Sequence, residues 1–150
     1  MIGHDDSISE ILAEKGSNVY SVEPRTTIAD AVALMNQKRV GSLLVMHGEH
    51  VVGMFTERDA LTRIIGAGRN PSVTRVEDVM TKNLVVVHPN TTVEEAMRIV
   101  TEKRCRHLPV LEGDQLKGMV SIGDLTRWLV RMDESYIDNL LSYITGKYPG

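Results

Sequence analysis

Two short stretches place a hydroxyl three residues before a carboxylate: Thr56 and Asp59 in "GMFTERD" (residues 53–59), and Ser121 and Asp124 in "GMVSIGD" (118–124). Each closes a glycine-started apolar run and opens an apolar-periodic segment, so each stands where a strand passes into a helix. Such a junction offers free backbone N–H groups and the positive end of the helix dipole. Both favour a phosphate, and a Ser or Thr hydroxyl there can donate to a phosphate oxygen. A carboxylate would repel phosphate, yet it accepts well from two neighbouring hydroxyls, as an acidic residue does on the ribose in dinucleotide-binding folds. The pair therefore suits a ligand with both a phosphate and a vicinal diol, and a nucleotide has both. The same spacing also satisfies a capping box, so both pairs could serve only to start a helix, an N-cap being worth about 1 kcal/mol.

Basic groups surround the two pairs unevenly. Arg58 lies inside the first phrase, while "KRCRHLPV" (103–110) brings Lys103, Arg104, Arg106 and His107 to the start of a strand. Arginine suits bidentate contact with phosphate. The matching stretch "KRVGSLLV" has Gly41 and Ser42 instead, so two pockets would differ in charge. Catalysis finds no support in the residues. The five histidines show no metal-ligand spacing with Cys or acids, and "HGEH" (47–50) reads as a hairpin tip. "GAGRN" (66–70) lacks the Lys-Ser/Thr of a phosphate loop, and neither a nucleophile elbow nor a dinucleotide glycine fingerprint is present. Cys105, the single cysteine, reads as a small packing residue. A binding protein is expected, not an enzyme.

The elements that must position these residues are written twice. At a constant offset, residues 19–61 fall on 84–126 without a gap. "VEPRTTIADAVALMNQKR" matches "VHPNTTVEEAMRIVTEKR", and "SLLVMHGEHVVGM" matches "HLPVLEGDQLKGM". Each copy starts with a β-branched run (19–22, 84–87), followed by a proline and a helix start at Thr27 with Asp30 or Thr92 with Glu95. Apolar residues at Ile28, Ala31, Val32 and Met35, and at Val93, Ala96, Met97 and Val100, form one helical face. A hairpin with a glycine-bearing turn follows. A closing helix then presents Ala60, Leu61, Ile64 and Ile65, or Leu125, Trp128, Leu129 and Met132.

The unit is β-α-β-β-α, a mixed α/β (α+β) grammar, and duplication at this length means two similar units that bury their apolar faces together. The expected division is residues 1–66 for the first repeat with its lead-in turn, 67–75 for a linker, 76–132 for the second repeat, and 133–150 for a C-terminal helix and tail. In that tail, Tyr136, Leu140, Tyr143 and Ile144 share a stripe that packs either on its own domain or on another subunit.

With 150 residues, 42% hydrophobic and 25% charged, the chain has the composition of a globular protein. A net charge of −3 and 4% aromatic residues argue against nucleic-acid binding, and no apolar run is long enough to span a membrane. The N-terminal "MIGHDDSISEIL" lacks a signal peptide's basic start and apolar core, so a cytoplasmic location is expected.

These motifs together resemble tandem CBS domains, the paired Bateman module. The resemblance is carried by "VEDVMT", "TTVEEAM", "RHLPV" and the closing "GMFTERD" and "GMVSIGD", and it covers residues 8–132. It is strongest to small stand-alone bacterial CBS-pair proteins. The resemblance implies repeats related by a pseudo-two-fold axis and two clefts that take adenosyl ligands: AMP first, with ADP, ATP, NAD or S-adenosylmethionine as alternatives. It further implies that Asp59 and Asp124 hold ribose hydroxyls and that Thr56 and Ser121 meet phosphate or ribose. Tyr20, Val85, Leu108 and Pro109 would flank the base, and Arg58, Arg106 and His107 would be phosphate partners. Leu44 stands where the second copy has Pro109, which sets the two sites apart. The implied role is a regulatory nucleotide sensor in signal transduction, a homodimer acting on a protein target; the alternative is a constitutive dimerisation scaffold.

Overall fold

The computed structural model describes residues 5–132. The stripe expected at Tyr136, Leu140, Tyr143 and Ile144 lies outside the described residues. The chain runs α1 (Ile8–Lys15), β1 (Ser21–Val22), α2 (Ile28–Lys38), β2 (Ser42–His47), β3 (His50–Thr56) and α3 (Glu57–Asp59), which a π-helical turn continues over Ala60–Ile65. A 3-10 turn at Val76–Asp78 leads to α4 (Val93–Lys103), β4 (His107–Glu112), β5 (Gln115–Ser121) and α5 (Ile122–Met132).

Local chemistry explains the repeated boundaries. The Thr27 hydroxyl accepts from the Asp30 N–H at 3.2 Å and the Thr92 hydroxyl from the Glu95 N–H at 3.1 Å, so α2 and α4 begin one residue after each threonine. Both helices end at an arginine in the left-handed region, Arg39 at φ 55° and Arg104 at φ 53°. In the first copy β2 and β3 pair antiparallel, Leu43 opposite Phe55, and β1 lies parallel to β2 with Ser21 opposite Leu44.

The second copy departs from the expected strand at residues 84–87. Only an isolated parallel bridge forms there, between Val87 and Val110. The cause is at Pro109: Leu44 donates its N–H to the Tyr20 carbonyl at 3.1 Å, whereas proline in the equivalent place has no N–H to give. The remaining bonds, Val87 N–H to the Pro109 carbonyl at 3.0 Å and Leu111 N–H to the Val87 carbonyl at 2.9 Å, hold one residue pair instead of a strand.

The closing helix of the first copy also differs from a regular amphipathic helix. Gly66 donates to the Leu61 carbonyl five residues back at 2.8 Å, the bond of a π-helix. Ile64 is buried there, but Leu61 and Ile65 are exposed, so only part of the expected apolar face meets the core. In the second copy Leu125 and Leu129 are buried, and Trp128 is half-buried with its indole N–H on Asp6 Oδ2 at 2.8 Å.

The compact units cut across the division into sequence repeats. One comprises residues 18–84 with the hairpin tip 113–116; the other comprises, among the described residues, 5–17, 85–112 and 117–132. Ile8, Ile11 and Leu12 of α1 therefore share a core with Val93, Leu108, Val120, Leu125 and Leu129. Val76, Val79 and Met80 of the 3-10 turn share one with Ile28, Leu43, Phe55 and Ile64. Matching backbone bonds fix both lead-in segments. Ile8 donates to Thr91 O at 2.9 Å and Ser9 to Pro89 O at 2.9 Å; Val76 donates to Thr26 O at 2.8 Å and Glu77 to Pro24 O at 3.0 Å. Each unit thus takes its lead-in from the stretch that precedes the other repeat.

Candidate functional site

Glycine opens both repeated phrases because a lead-in side chain lies against the backbone at that point. A Cβ on Gly53 would stand 2.5 Å from Met80 Sδ, and one on Gly118 would stand 2.9 Å from Leu12 Cδ2. The strand then runs to the hydroxyl–carboxylate pair. Thr56 Oγ1 accepts from the Asp59 N–H at 3.2 Å, and Asp59 Oδ2 accepts from the Thr56 N–H at 3.0 Å. Ser121 Oγ accepts from the Asp124 N–H at 3.1 Å, and Asp124 Oδ2 accepts from the Ser121 N–H at 2.8 Å. Both pairs are complete capping boxes. Each junction is also tied to the residue just ahead of the hairpin's first strand, Glu57 N–H to Gly41 O at 3.0 Å before β2 and Ile122 N–H to Arg106 O at 2.9 Å before β4.

The carboxylates hold more than a cap requires. Asp59, buried, takes the Thr81 hydroxyl shared between its two oxygens at 3.2 and 3.3 Å, with Arg63 Nε 3.6 Å away. The Arg63 guanidinium is itself fixed on the Val79 and Met80 carbonyls at 2.9 and 3.2 Å. The Asp124 side chain, 10% exposed, takes Lys15 Nζ at 2.7 Å and Arg127 Nη2 at 2.8 Å. Burial pushes the Asp124 carboxyl up, but the Lys15 hydrogen bond, the Ser121 N–H and the Lys15 charge together hold it below its ordinary value. The ionised carboxylate is an acceptor only, able to take hydrogen bonds from hydroxyl donors.

The remaining candidates fall into two sets. In the unit with Thr56 and Asp59, Arg58 is exposed on α3, and Tyr20 is 40% exposed with Lys38 Nζ 5.5 Å from its ring centroid. In the unit with Ser121 and Asp124, Val85 and His107 are half-buried and Arg106 is exposed. Leu108 and Pro109 are buried in β4, and Leu108 is a fully buried core side chain, which places its side chain away from solvent. Sequence reasoning missed Lys15, Thr81, Arg63 and Arg127. Lys15 and Thr81 end the two lead-in segments, which read as helical turns without a ligand-facing role. Beside Asp124, α1 and α5 line an open groove with Ile11, Glu14, Lys15, Arg127, Trp128 and Arg131. Arg131 pairs with Glu14 and lies 5.9 Å from the Trp128 ring centroid. Among the described residues no cluster of His, Cys, Asp and Glu could hold a metal ion, and no helix is long and apolar enough to cross a membrane.

A β-α-β-β-α unit written twice, closed each time by the same capped carboxylate, makes the chain a tandem-repeat module. The CBS domain family model matches residues 8–66 and 76–131, and the chain belongs to that family as a CBS-domain pair. It is 38% identical over 151 residues to the mitochondrial CBS domain-containing protein CBSX3 of Arabidopsis thaliana, covering 95% of this chain and 73% of that protein. A crystal structure of a CBS domain, NE2398, matches with a TM-score of 0.80 at 35% identity, over 83% of this chain and 98% of that one. A crystal structure of CBSX2 in complex with AMP matches with a TM-score of 0.70 at 25% identity, over 83% of this chain and 96% of that one.

Proposed function

We propose that the chain is a non-catalytic regulatory module that binds an adenine nucleotide at its two hydroxyl–carboxylate junctions, AMP foremost, with ADP, ATP or NAD as alternatives. Occupancy then alters its affinity for a partner protein. The observation that carries this reading is that Asp59 and Asp124 sit in the same corner of two separately built units, each with further donors gathered on a nearly buried carboxylate. A helix start needs the cap hydroxyl and gains little from that second set of contacts. The AMP held by the related CBSX2 supports the adenosine class. In this reading Thr56 and Ser121 meet ribose or phosphate, Arg58, Arg106 and His107 are the phosphate partners, and the strand residues at Tyr20, Val85, Leu108 and Pro109 flank the base. A ligand changes partner affinity only as far as it binds two arrangements of the module differently. The cytoplasmic location expected from the sequence belongs to the same reading, and cell fractionation checks it.

A thermal-shift screen against AMP, ADP, ATP, NAD, S-adenosylmethionine and GTP tests it. A ligand at 100 times its dissociation constant adds about 2.7 kcal/mol to the folded state. A selective rise with adenosine ligands is expected; no shift with any of them would contradict the reading. The exposure of Leu61 and Ile65, 62% and 71%, favours self-association as a second reading, with the pair serving as a dimerising scaffold. Leu61→Glu should then lower the sedimentation coefficient, and an unchanged coefficient would remove this face from the interface.

A further inference from the structure

We propose that Lys15 is a latch on the second junction: it occupies an acceptor position that a diol would use, so the Asp124 site fills more readily once Lys15 leaves, while the Asp59 site fills without any such release. The inference rests on the nucleotide reading and extends it to the order of filling and to the part of the chain that responds.

Counting acceptor positions separates the junctions. An ionised carboxylate offers about four lone-pair positions. On Asp124, Oδ2 accepts from the Ser121 N–H at 2.8 Å and from Lys15 Nζ at 2.7 Å, and Oδ1 accepts from Arg127 at 2.8 Å. One position remains, and a vicinal diol needs two. On Asp59, Oδ2 accepts from the Thr56 N–H at 3.0 Å, and the Thr81 hydroxyl is spread over both oxygens at 3.2 and 3.3 Å, a long, shared bond. Arg63 stands off at 3.6 Å. The Asp59 carboxylate keeps room for two donors.

The two closures also differ in what can move. The Thr81 N–H bonds the Met54 carbonyl at 2.9 Å as part of the backbone. Lys15 reaches the equivalent Met119 carbonyl at 3.0 Å with the tip of its side chain, so one ammonium does the work of both Thr81 groups. A four-carbon stem that is 37% exposed can swing away without moving the backbone. Helix α1 stays anchored meanwhile by the buried Ile8, Ile11 and Leu12 and by the Glu14–Arg131 pair. Filling the Asp124 site therefore frees the Lys15 ammonium and the Met119 carbonyl together.

The test is calorimetric titration of AMP in an Asp59→Ala background, with and without Lys15→Met. The apparent dissociation constant of a closed site is the intrinsic one divided by the open fraction, and a partly exposed pair of this kind closes a site about two- to fivefold. Lys15→Met should therefore tighten AMP about two- to fivefold, and Lys15→Gln should act in the same direction if the methionine variant folds poorly. Unchanged affinity overturns the latch, and so does weaker affinity, which would make Lys15 a ligand contact. If wild type binds AMP and the lysine variants match it, the latch alone fails. If neither wild type nor any variant binds AMP, ADP, ATP or NAD, the nucleotide reading fails and the latch falls with it.

Discussion

At the Asp59 junction the lead-in segment supplies Thr81, whose backbone N–H takes the Met54 carbonyl and whose hydroxyl takes the carboxylate. At the Asp124 junction α1 supplies Lys15, whose ammonium takes the Met119 carbonyl and the carboxylate at once. The framework around them is the same: capping box, tie to the residue ahead of the hairpin, glycine under a lead-in side chain. A neutral group fixed in the backbone has been exchanged for a charged group on a flexible stem. The two copies thus share the support of the carboxylate and differ in the group that closes on it. Leu44 and Pro109 make the same point for the sheet: one N–H decides whether the leading segment becomes a strand.

The comparison can be broken at its largest difference first. Leu44→Pro gives the first copy the second copy's residue, removes the N–H that Tyr20 O accepts and trims a fully buried side chain. It should cost about 3 kcal/mol in a denaturant melt, combining an unsatisfied carbonyl with a lost apolar volume. A cost near zero would mean that the β1 pairing does not stabilise the unit. Gly118→Ala, which pushes a methyl group against Leu12, should destabilise by about 1–3 kcal/mol, as should Gly53→Ala against Met80. Wild-type stability in either would show that the lead-in segment is loosely docked there.

A smaller effect is expected at acid pH. Asp124 is held below its ordinary value of 3.8, burial raising it and the Lys15 and Ser121 contacts together outweighing burial. A carboxyl with a depressed folded pKa contributes stability that is present above the unfolded value and lost as pH falls through the folded one. Lys15→Met removes part of that depression. It should flatten the fall in melting temperature below pH 3.8. Superimposable acid limbs would mean that the pair contributes nothing in solution.

Much of the fold was legible because the chain states its grammar twice. Thr27 and Thr92 mark helix starts, and the glycine-bearing turns mark hairpins, in both copies. Residues 84–87 resisted because their β-branched pattern is that of a strand, while the missing donor sits in a different segment, at Pro109. The π-helical turn after Asp59 resisted because Leu61 and Ile65 continue an apolar pattern although both are exposed. The exchange of lead-in segments could not be read from pattern at all, since Ile8, Ile11 and Leu12 would suit either repeat as well as Val76, Val79 and Met80 do. For the same reason the hydroxyl–carboxylate pairs were visible, and their partners Thr81 and Lys15, delivered by those segments, were not.

The most direct measurement is a calorimetric titration of AMP into wild type and Asp59→Ala. The account predicts two unequal binding steps in wild type. In the variant the tighter step should weaken at least about thirtyfold, the loss of roughly 2 kcal/mol of charge-assisted hydrogen bonding to a ribose. Identical isotherms for the two proteins would contradict it and leave Asp59 as the partner of a helix cap.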